Sequence, residues 1–334
     1  MPIKDQVLAL LESKKGEAVS GEMLAESLGV SRTAIWKSVK DLRKNGYQID
    51  AATRRGYVLA DSSDILSLQG ILPFLTEMPF AAERVQVFPT LDSTNAEAKR
   101  HIAVAPSRAE IPYDSILIAE QQTAGQGHRN RAYFSPSGSS IYMSFVLRPA
   151  ESVTRTRLIP LVAAVAVCET IEVFFPEEVP GIKWVNDIFF EGKKISGIRT
   201  EAITDVESGD IETVILGIGL NINVPKRRLP DELKETTGSL PLRIGKRNEF
   251  AATLINRIRI HYQRLLDGNV EALIRDYRVR SFVVGKRIWV LDPKGNKAAV
   301  VTGIGEDGAL LVTYDDNTQA RLMSGEIQLA ESNL

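Results

Sequence analysis

A chain of 334 residues exceeds one comfortable hydrophobic core, so two or three domains are expected. Its 41 basic and 42 acidic side chains nearly cancel, which excludes a protein that coats nucleic acid along its whole length; the first sixty residues nevertheless carry ten Lys or Arg against seven Asp or Glu. The single cysteine, Cys168, excludes a disulfide framework and a cysteine zinc site, and the three histidines, His101, His128 and His261, show no metal-ligand spacing.

No signal peptide is expected, since Lys4, Asp5 and Glu12 interrupt the first apolar residues, and no uncharged run is long enough to span a bilayer. A cytoplasmic protein with no membrane partner is expected.

From about residue 3 to 60 the pattern is three short helices and a hairpin. Val7, Leu8, Leu10 and Leu11 give the first helix an apolar face, Ser20 caps a second, and Gly29 breaks the chain before Ser31 caps a third. Ile35, Val39 and Leu42 recur at helical spacing on that third helix, while Arg32, Thr33, Trp36, Lys37 and Lys40 occupy its other faces. A basic second element of a helix-turn-helix suits a major groove, with Ser31, Arg32 and Thr33 at the end nearest the bases. Two short strands follow around a Thr53-Arg54-Arg55 tip, a basic wing of the kind that lies against phosphate. The alternative is a solvated basic helix in a protein-interaction module. Winged helix-turn-helix DNA binding is the expectation over residues 1–62, with 61–64 as linker.

A mixed α/β domain is expected over 66–278. Strand Val85-Phe88 leads to Asp92-Ser93-Thr94-Asn95 at a helix start, where Thr94 and Glu97 have capping-box spacing and short polar side chains can also face a ligand. The apolar run 115–119 then opens into Glu120-Gln121-Gln122-Thr123-Ala124-Gly125-Gln126-Gly127-His128-Arg129-Asn130-Arg131, and a second apolar run follows at 141–147. Two glycines permit close approach of the backbone to a ligand, and the adjacent cations suit an anion. A plain surface hairpin is the competing reading. Lys183, Asn186, Asp187 and Lys194 interrupt apolar strands, where polar groups are costly unless paired or used. Glycines 217 and 219 fall mid-strand, a sign that a ligand or another backbone comes near. From 282 to 332 short strands and tight turns predict a small SH3-like barrel.

Six segments in order resemble one family, the bifunctional biotin-protein ligase and biotin operon repressor. They are Asp92-Ser93-Thr94-Asn95, the 120–125 run with its basic continuation, Phe134-Ser135-Pro136, Lys183-Trp184-Val185-Asn186-Asp187, Lys193-Lys194-Ile195-Ser196-Gly197-Ile198, and Gly217-Ile218-Gly219-Leu220-Asn221-Ile222-Asn223. The resemblance implies an α+β protein: winged helix, class II synthetase-like ligase domain and SH3-like C-terminal domain. It also implies an ATP- and Mg²⁺-dependent reaction in which biotin becomes biotinyl-5'-AMP and is passed to a lysine of a biotin carboxyl carrier protein. Ser93, Thr94, Asn95, Gln122, Gly125, Gln126, Gly127 and Lys194 would bind biotin. Arg129, Arg131, Tyr133, Asn186, Asp187 and Asn221 would bind ATP or adenylate, with Asp187 on the Mg²⁺. Lys194, Lys183 and His128 would serve catalysis. The adenylate-bound form would dimerise and bind operator DNA.

The loop departs from the family's common Gly-Arg-Gly-Arg-Arg-Gly-Arg, carrying Gln126, His128 and Asn130. A neutral imidazole does not reproduce a guanidinium, so looser or pH-dependent retention of the adenylate is expected. Two other readings remain beside the ligase: a biotin-sensing repressor with weak ligation, and a lipoate-type ligase on a related fold.

Overall fold

The computed structural model describes residues 1–52, 56–76, 84–107, 110–127, 131–149, 153–205, 207–292 and 295–330. The wing residues Arg54 and Arg55 and the loop residues His128, Arg129 and Asn130 lie outside these.

The chain begins with α1 (Ile3–Ser13), the short strand β1 (Ala18–Val19), α2 (Gly21–Leu28) and α3 (Arg32–Lys44). Ser20 and Ser31 each accept a hydrogen bond from a backbone N–H three residues on, and Gly29 closes α2 in the left-handed region. Strands β2 (Ile49–Ala52) and β3 (Gly56–Leu59) complete a sheet in the order β1-β3-β2. Val7, Leu11, Leu24, Ile35, Val39, Leu42 and Leu59 form a core of their own beneath it. A headpiece this small is stabilised further by its neighbour: the Lys15 ammonium donates to the carbonyl of Ser63 at 2.6 Å, and α1 packs on α4 (Leu68–Ile71).

The middle of the chain builds a seven-stranded sheet. Its strands are β4 (Val85–Phe88), β5 (Ile116–Ala119), β6 (Ile141–Leu147), β7 (Gly181–Lys183), β8 (Asp187–Phe190), β9 (Lys193–Thr204) and β10 (Ile211–Leu220), in the spatial order β4-β5-β6-β10-β9-β8-β7. Only β4 and β5 run parallel; the other neighbours are antiparallel. Side chains alternate across a strand, so the two faces can be read from the register. Ile116, Ile118, Met143, Phe145, Val214 and Leu216 point to the face covered by α7 (Ile159–Phe174) and α8 (Arg247–Leu266). Leu117, Val146 and Ile215 point the other way, against α5 (Thr94–Ala103). Because both faces of β6 are covered, every residue of that strand is buried, which is why it reads as an apolar run broken by Ser144 alone. Ser144 is on the α5 face.

The short α6 (Val153–Thr156) precedes α7 in the chain, α9 (Val270–Arg280) packs on α7, and the last strands form a second antiparallel sheet. They are β11 (Arg287–Leu291), β12 (Lys297–Ile304), β13 (Leu310–Tyr314), β14 (Gln319–Leu322) and β15 (Glu326–Leu329), ordered β14-β13-β12-β11-β15. The apolar side chains of this sheet join the central core without a break: Ile288, Val301 and Leu310 belong to the same cluster as α7. The Trp184 indole N–H donates to the Gly308 carbonyl at 3.0 Å across the seam.

One expectation about local structure is corrected. Helix α5 starts at Thr94, and its N-cap Ser93 makes no side-chain cap bond. Thr94 turns toward Gln122 instead, and Glu97 pairs with Arg100, so no capping box forms. The polar groups at this helix start are directed into a cavity.

Candidate active site

The cavity lies on the α5 face of the sheet, where the register puts Gly217 and Gly219 of β10 beside Arg199 and Gly197 of β9. The glycines are there because neighbours occupy the space a side chain would need. A Cβ on Gly217 would fall 2.2 Å from Asn95 Oδ1, and one on Gly219 would fall 2.5 Å from Cζ of Tyr133. The mid-strand glycines thus admit one amide and one aromatic ring at the floor of the pocket.

A hydrogen-bonded lattice fixes one wall. Gln122 Oε1 accepts from the Thr94 backbone N–H at 2.8 Å and from its hydroxyl at 3.1 Å, while Gln122 Nε2 donates to Ser135 Oγ at 3.1 Å. The backbone donor settles which end of the Gln122 amide is oxygen. Ser144 Oγ sits 2.6 Å from Asn95 Oδ1 and 2.7 Å from Thr94 Oγ1, and Asn95 Nδ2 donates to Glu201 at 2.7 Å. Burial pushes the Glu201 carboxyl up, but the Lys99 ammonium at 2.7 Å and the Asn95 amide outweigh it and hold the group below the usual carboxylate range. Ser93, Thr94, Asn95, Gln122, Gln126 and Gly127 all line this cavity. Gly125 is close-packed behind it: a Cβ there would lie 2.6 Å from Ser135 Oγ.

Charge enters from the sheet edge. Lys194 Nζ lies 2.6 Å from Asp187 Oδ1, both partly exposed, and the two side chains stand where the inner cavity opens into an outer cleft of about 700 Å³. Gly127 and Tyr133 border both spaces. Lys183, Asn221 and Arg131 are on the outer cleft, where burial lowers the Lys183 ammonium from its ordinary value. The Tyr133 ring meets Tyr142 edge-on at 6.4 Å; its hydroxyl is buried with no hydrogen-bond partner in the structure, and burial raises it above the usual phenol range. An uncompensated buried hydroxyl beside a cavity is costly, and a ligand atom would relieve that cost.

Several expected residues already have structural partners. Asn186 Nδ2 donates to the Ile198 carbonyl at 2.5 Å, Asn221 Nδ2 to Gly238 at 3.1 Å, and the Arg131 guanidinium spans to Glu326 at 3.0 Å. Asp187 has no company of its kind: among the described residues no three His, Cys, Asp or Glu side chains cluster as a metal site. Sequence reasoning missed Ser135, Ser144, Arg199 and Glu201. Arg199 and Glu201 alternate with Gly197 on one strand and so share its cavity face, a period-2 signal that could have found them.

The headpiece presents a second surface. Arg32, Thr33, Trp36, Lys37 and Lys40 are exposed along α3, and the Lys40 ammonium lies 5.0 Å from the centre of the Trp36 ring. Ser31 is at the same end of the helix, but its hydroxyl is engaged as the cap.

A helix-turn-helix headpiece, a sheet with a Gly-floored polar cavity and a C-terminal antiparallel sheet together define a DNA-binding unit joined to a ligase fold. Residues 4–58 match an HTH domain, 87–221 the biotin/lipoate A/B protein ligase family, and 283–330 the biotin protein ligase C terminal domain. The bifunctional ligase/repressor BirA of Bacillus subtilis (strain 168) is 30% identical over 343 residues, covering 98% of each chain. Its namesake from Escherichia coli (strain K12) is 29% identical over 333 residues, covering 98% of this chain and 97% of that one. Among solved structures, the biotin protein ligase from Aquifex aeolicus in complex with biotin and ATP is 25% identical with a TM-score of 0.60, covering 74% of this chain and 99% of its own. The chain belongs to the biotin/lipoate A/B protein ligase family, and its full-length likeness is to the bifunctional ligase/repressors.

Proposed function

We propose that the protein is an ATP-dependent biotin-protein ligase that forms biotinyl-5'-AMP, transfers biotin to a lysine of a biotin carboxyl carrier protein, and uses its headpiece as a biotin-responsive repressor. The observation that carries this is the meeting of two spaces at Lys194: a small polar cavity with a glycine floor and a larger cleft beyond it.

In this reading the inner cavity takes the ring system of biotin. The Ser93 hydroxyl, free of any cap bond, and the fixed Thr94–Gln122 pair face its polar end, and Tyr133 closes over the rest. Lys194 receives the carboxylate where it meets the nucleotide, as adenylation brings one anion to another and needs positive charge at the meeting point more than it needs a nucleophile. Lys183, Arg131 and Asn221 border the nucleotide side. A lone carboxylate together with nucleotide phosphates is a donor set that Mg²⁺ accepts, so Asp187 would hold the ion, which supplies charge neutralisation on the phosphates. The roles given to His128, Arg129, Arg54 and Arg55 rest on sequence, as does weaker retention of adenylate by the 128–130 segment. The division at 1–62, 66–278 and 282–332, and dimerisation with adenylate bound, belong to the same proposal. No described helix is long and apolar enough to cross a membrane.

The test is pyrophosphate release on mixing the protein with biotin and MgATP, with lipoate in parallel. Release that requires biotin supports the reading; release with lipoate alone would move the assignment to the other acid.

A further inference from the structure

Besides Lys194, the cavity wall carries one more cation among the described residues: Arg199, on β9 opposite Gly217. Its NH1 donates to the Gly127 carbonyl at 2.8 Å and to Gln126 Oε1 at 3.2 Å, so a side chain rooted in the sheet holds the backbone of the glycine loop. The root is itself fixed. Arg199 NH2 lies 3.4 Å from Glu201 Oε2, and that carboxylate also accepts from Lys99 and from Asn95, whose amide covers Gly217. The Arg199 side chain is four-fifths buried. On its far side the loop is closed by the Gly127 N–H bonded to the Arg131 carbonyl at 2.7 Å.

We infer that Arg199 is a positioning residue for the ligation reaction: it clamps the loop at Gln126 and Gly127 over the cavity and thereby sets how long the acyl-adenylate stays bound. Glycine gives this loop no stiffness of its own, and neither Gln126 nor Gly127 supplies a charge. A planar, permanently charged donor that reaches two acceptors from a rigid strand supplies both order and a cationic lining for an anionic ligand. A lysine at this position would keep the charge while losing the fork. The inference rests on the ligase reading for its ligand, whereas the clamp itself exists in the free protein.

The experiment compares the native chain with R199L and R199K in two arms. In the first, amide hydrogen exchange of the 121–127 segment is followed without ligand, with thermal unfolding recorded to check the fold. In the second, biotinyl-5'-AMP formed in place is chased with excess unlabelled biotin and MgATP, and its dissociation rate is measured. Loss of a charge-assisted hydrogen-bonded clamp raises both rates about tenfold or more in R199L, with R199K between R199L and the native chain. Equal rates in all three proteins, in either arm, would overturn the inference. A native chain that forms no adenylate would defeat the ligase reading alone, and the exchange arm would then decide the clamp by itself.

Discussion

Arg247 is 1% exposed, and its guanidinium is held by oxygen acceptors from three segments of the chain. Its guanidinium donates to both oxygens of Glu120 at 2.7 and 2.9 Å, to the Ser140 carbonyl at 2.9 Å, and to the carbonyl of Asp64 in the linker beneath the headpiece. Arg247→Met keeps most of the volume and removes the charge. The Ser140 carbonyl and the Glu120 carboxylate, only 13% exposed, lose their main partner. Breaking a buried pair from one side costs about 3–5 kcal/mol. Here two donors survive on Glu120, the backbone N–H groups of Leu66 at 3.1 Å and Gly138 at 2.9 Å, so a loss near the lower end, about 3 kcal/mol, is expected. Urea unfolding followed through tryptophan fluorescence, in which the buried Trp184 changes its surroundings more than the exposed Trp36 and Trp289, measures it. The double variant with Glu120→Gln removes the more buried of the two carboxylates left without this partner, the other being Asp64 at 3.3 Å, and should fall short of the sum of the single losses by at least about 1 kcal/mol. A loss under about 1 kcal/mol for Arg247→Met, or strict additivity, would refute the account of Glu120 as a carboxylate held by this arginine.

Gly217→Ala places a methyl group 2.2 Å from Asn95 Oδ1 and must push that amide off Glu201 and Ser144; a stability loss of about 1–3 kcal/mol and a raised KM for biotin are expected from denaturation and steady-state kinetics. Lys194→Gln should lower the rate of biotin-dependent pyrophosphate release by about a hundredfold or more while moving the unfolding midpoint little, because the Lys194–Asp187 pair is partly open to solvent. Lys37→Ala on the exposed face of α3 should weaken operator binding and reduce its log-log salt slope by about one, with ligation unchanged, as titrations at several salt concentrations would read. The Arg100 guanidinium beside Asp92 holds that carboxyl down to about 2. A depressed folded-state pKa stabilises above the ordinary carboxylate range and the gain disappears as pH falls through about 4 toward 2, so the gap in Tm between the native chain and Asp92→Asn should close over that interval.

The headpiece was the most legible part of the chain, because caps at Ser20 and Ser31, the Gly29 stop and the 35, 39, 42 spacing are local signals that each fix one short element. The cavity was legible by motif and only partly by physics. Gly217 and Gly219 announced a close approach, but which groups approach, Asn95 and Tyr133, follows from strand register and from the path of a loop seventy and more residues away in sequence. Thr94 looked like a cap for the same reason: capping spacing is local, whereas its actual partner, Gln122, comes from another strand end. Glu120 shows in the sequence only as part of the 120–125 run and Arg247 carries no signal at all, since a buried ion pair between positions 127 residues apart leaves no periodic trace. The C-terminal strands were visible as short alternating runs, but not the continuity of their core with α7, because alternation tells which face is apolar and not what covers it.

Whether the pocket at Lys194 makes an acyl-adenylate for transfer is decided by mass spectrometry of a biotin carboxyl carrier domain incubated with the protein, biotin and MgATP. The expected result is a single biotin-sized gain on one carrier lysine, appearing about a hundredfold or more slowly with Lys194→Gln. An unmodified carrier, with adenylate accumulating on the protein, would contradict it and leave a ligand-sensing repressor in its place.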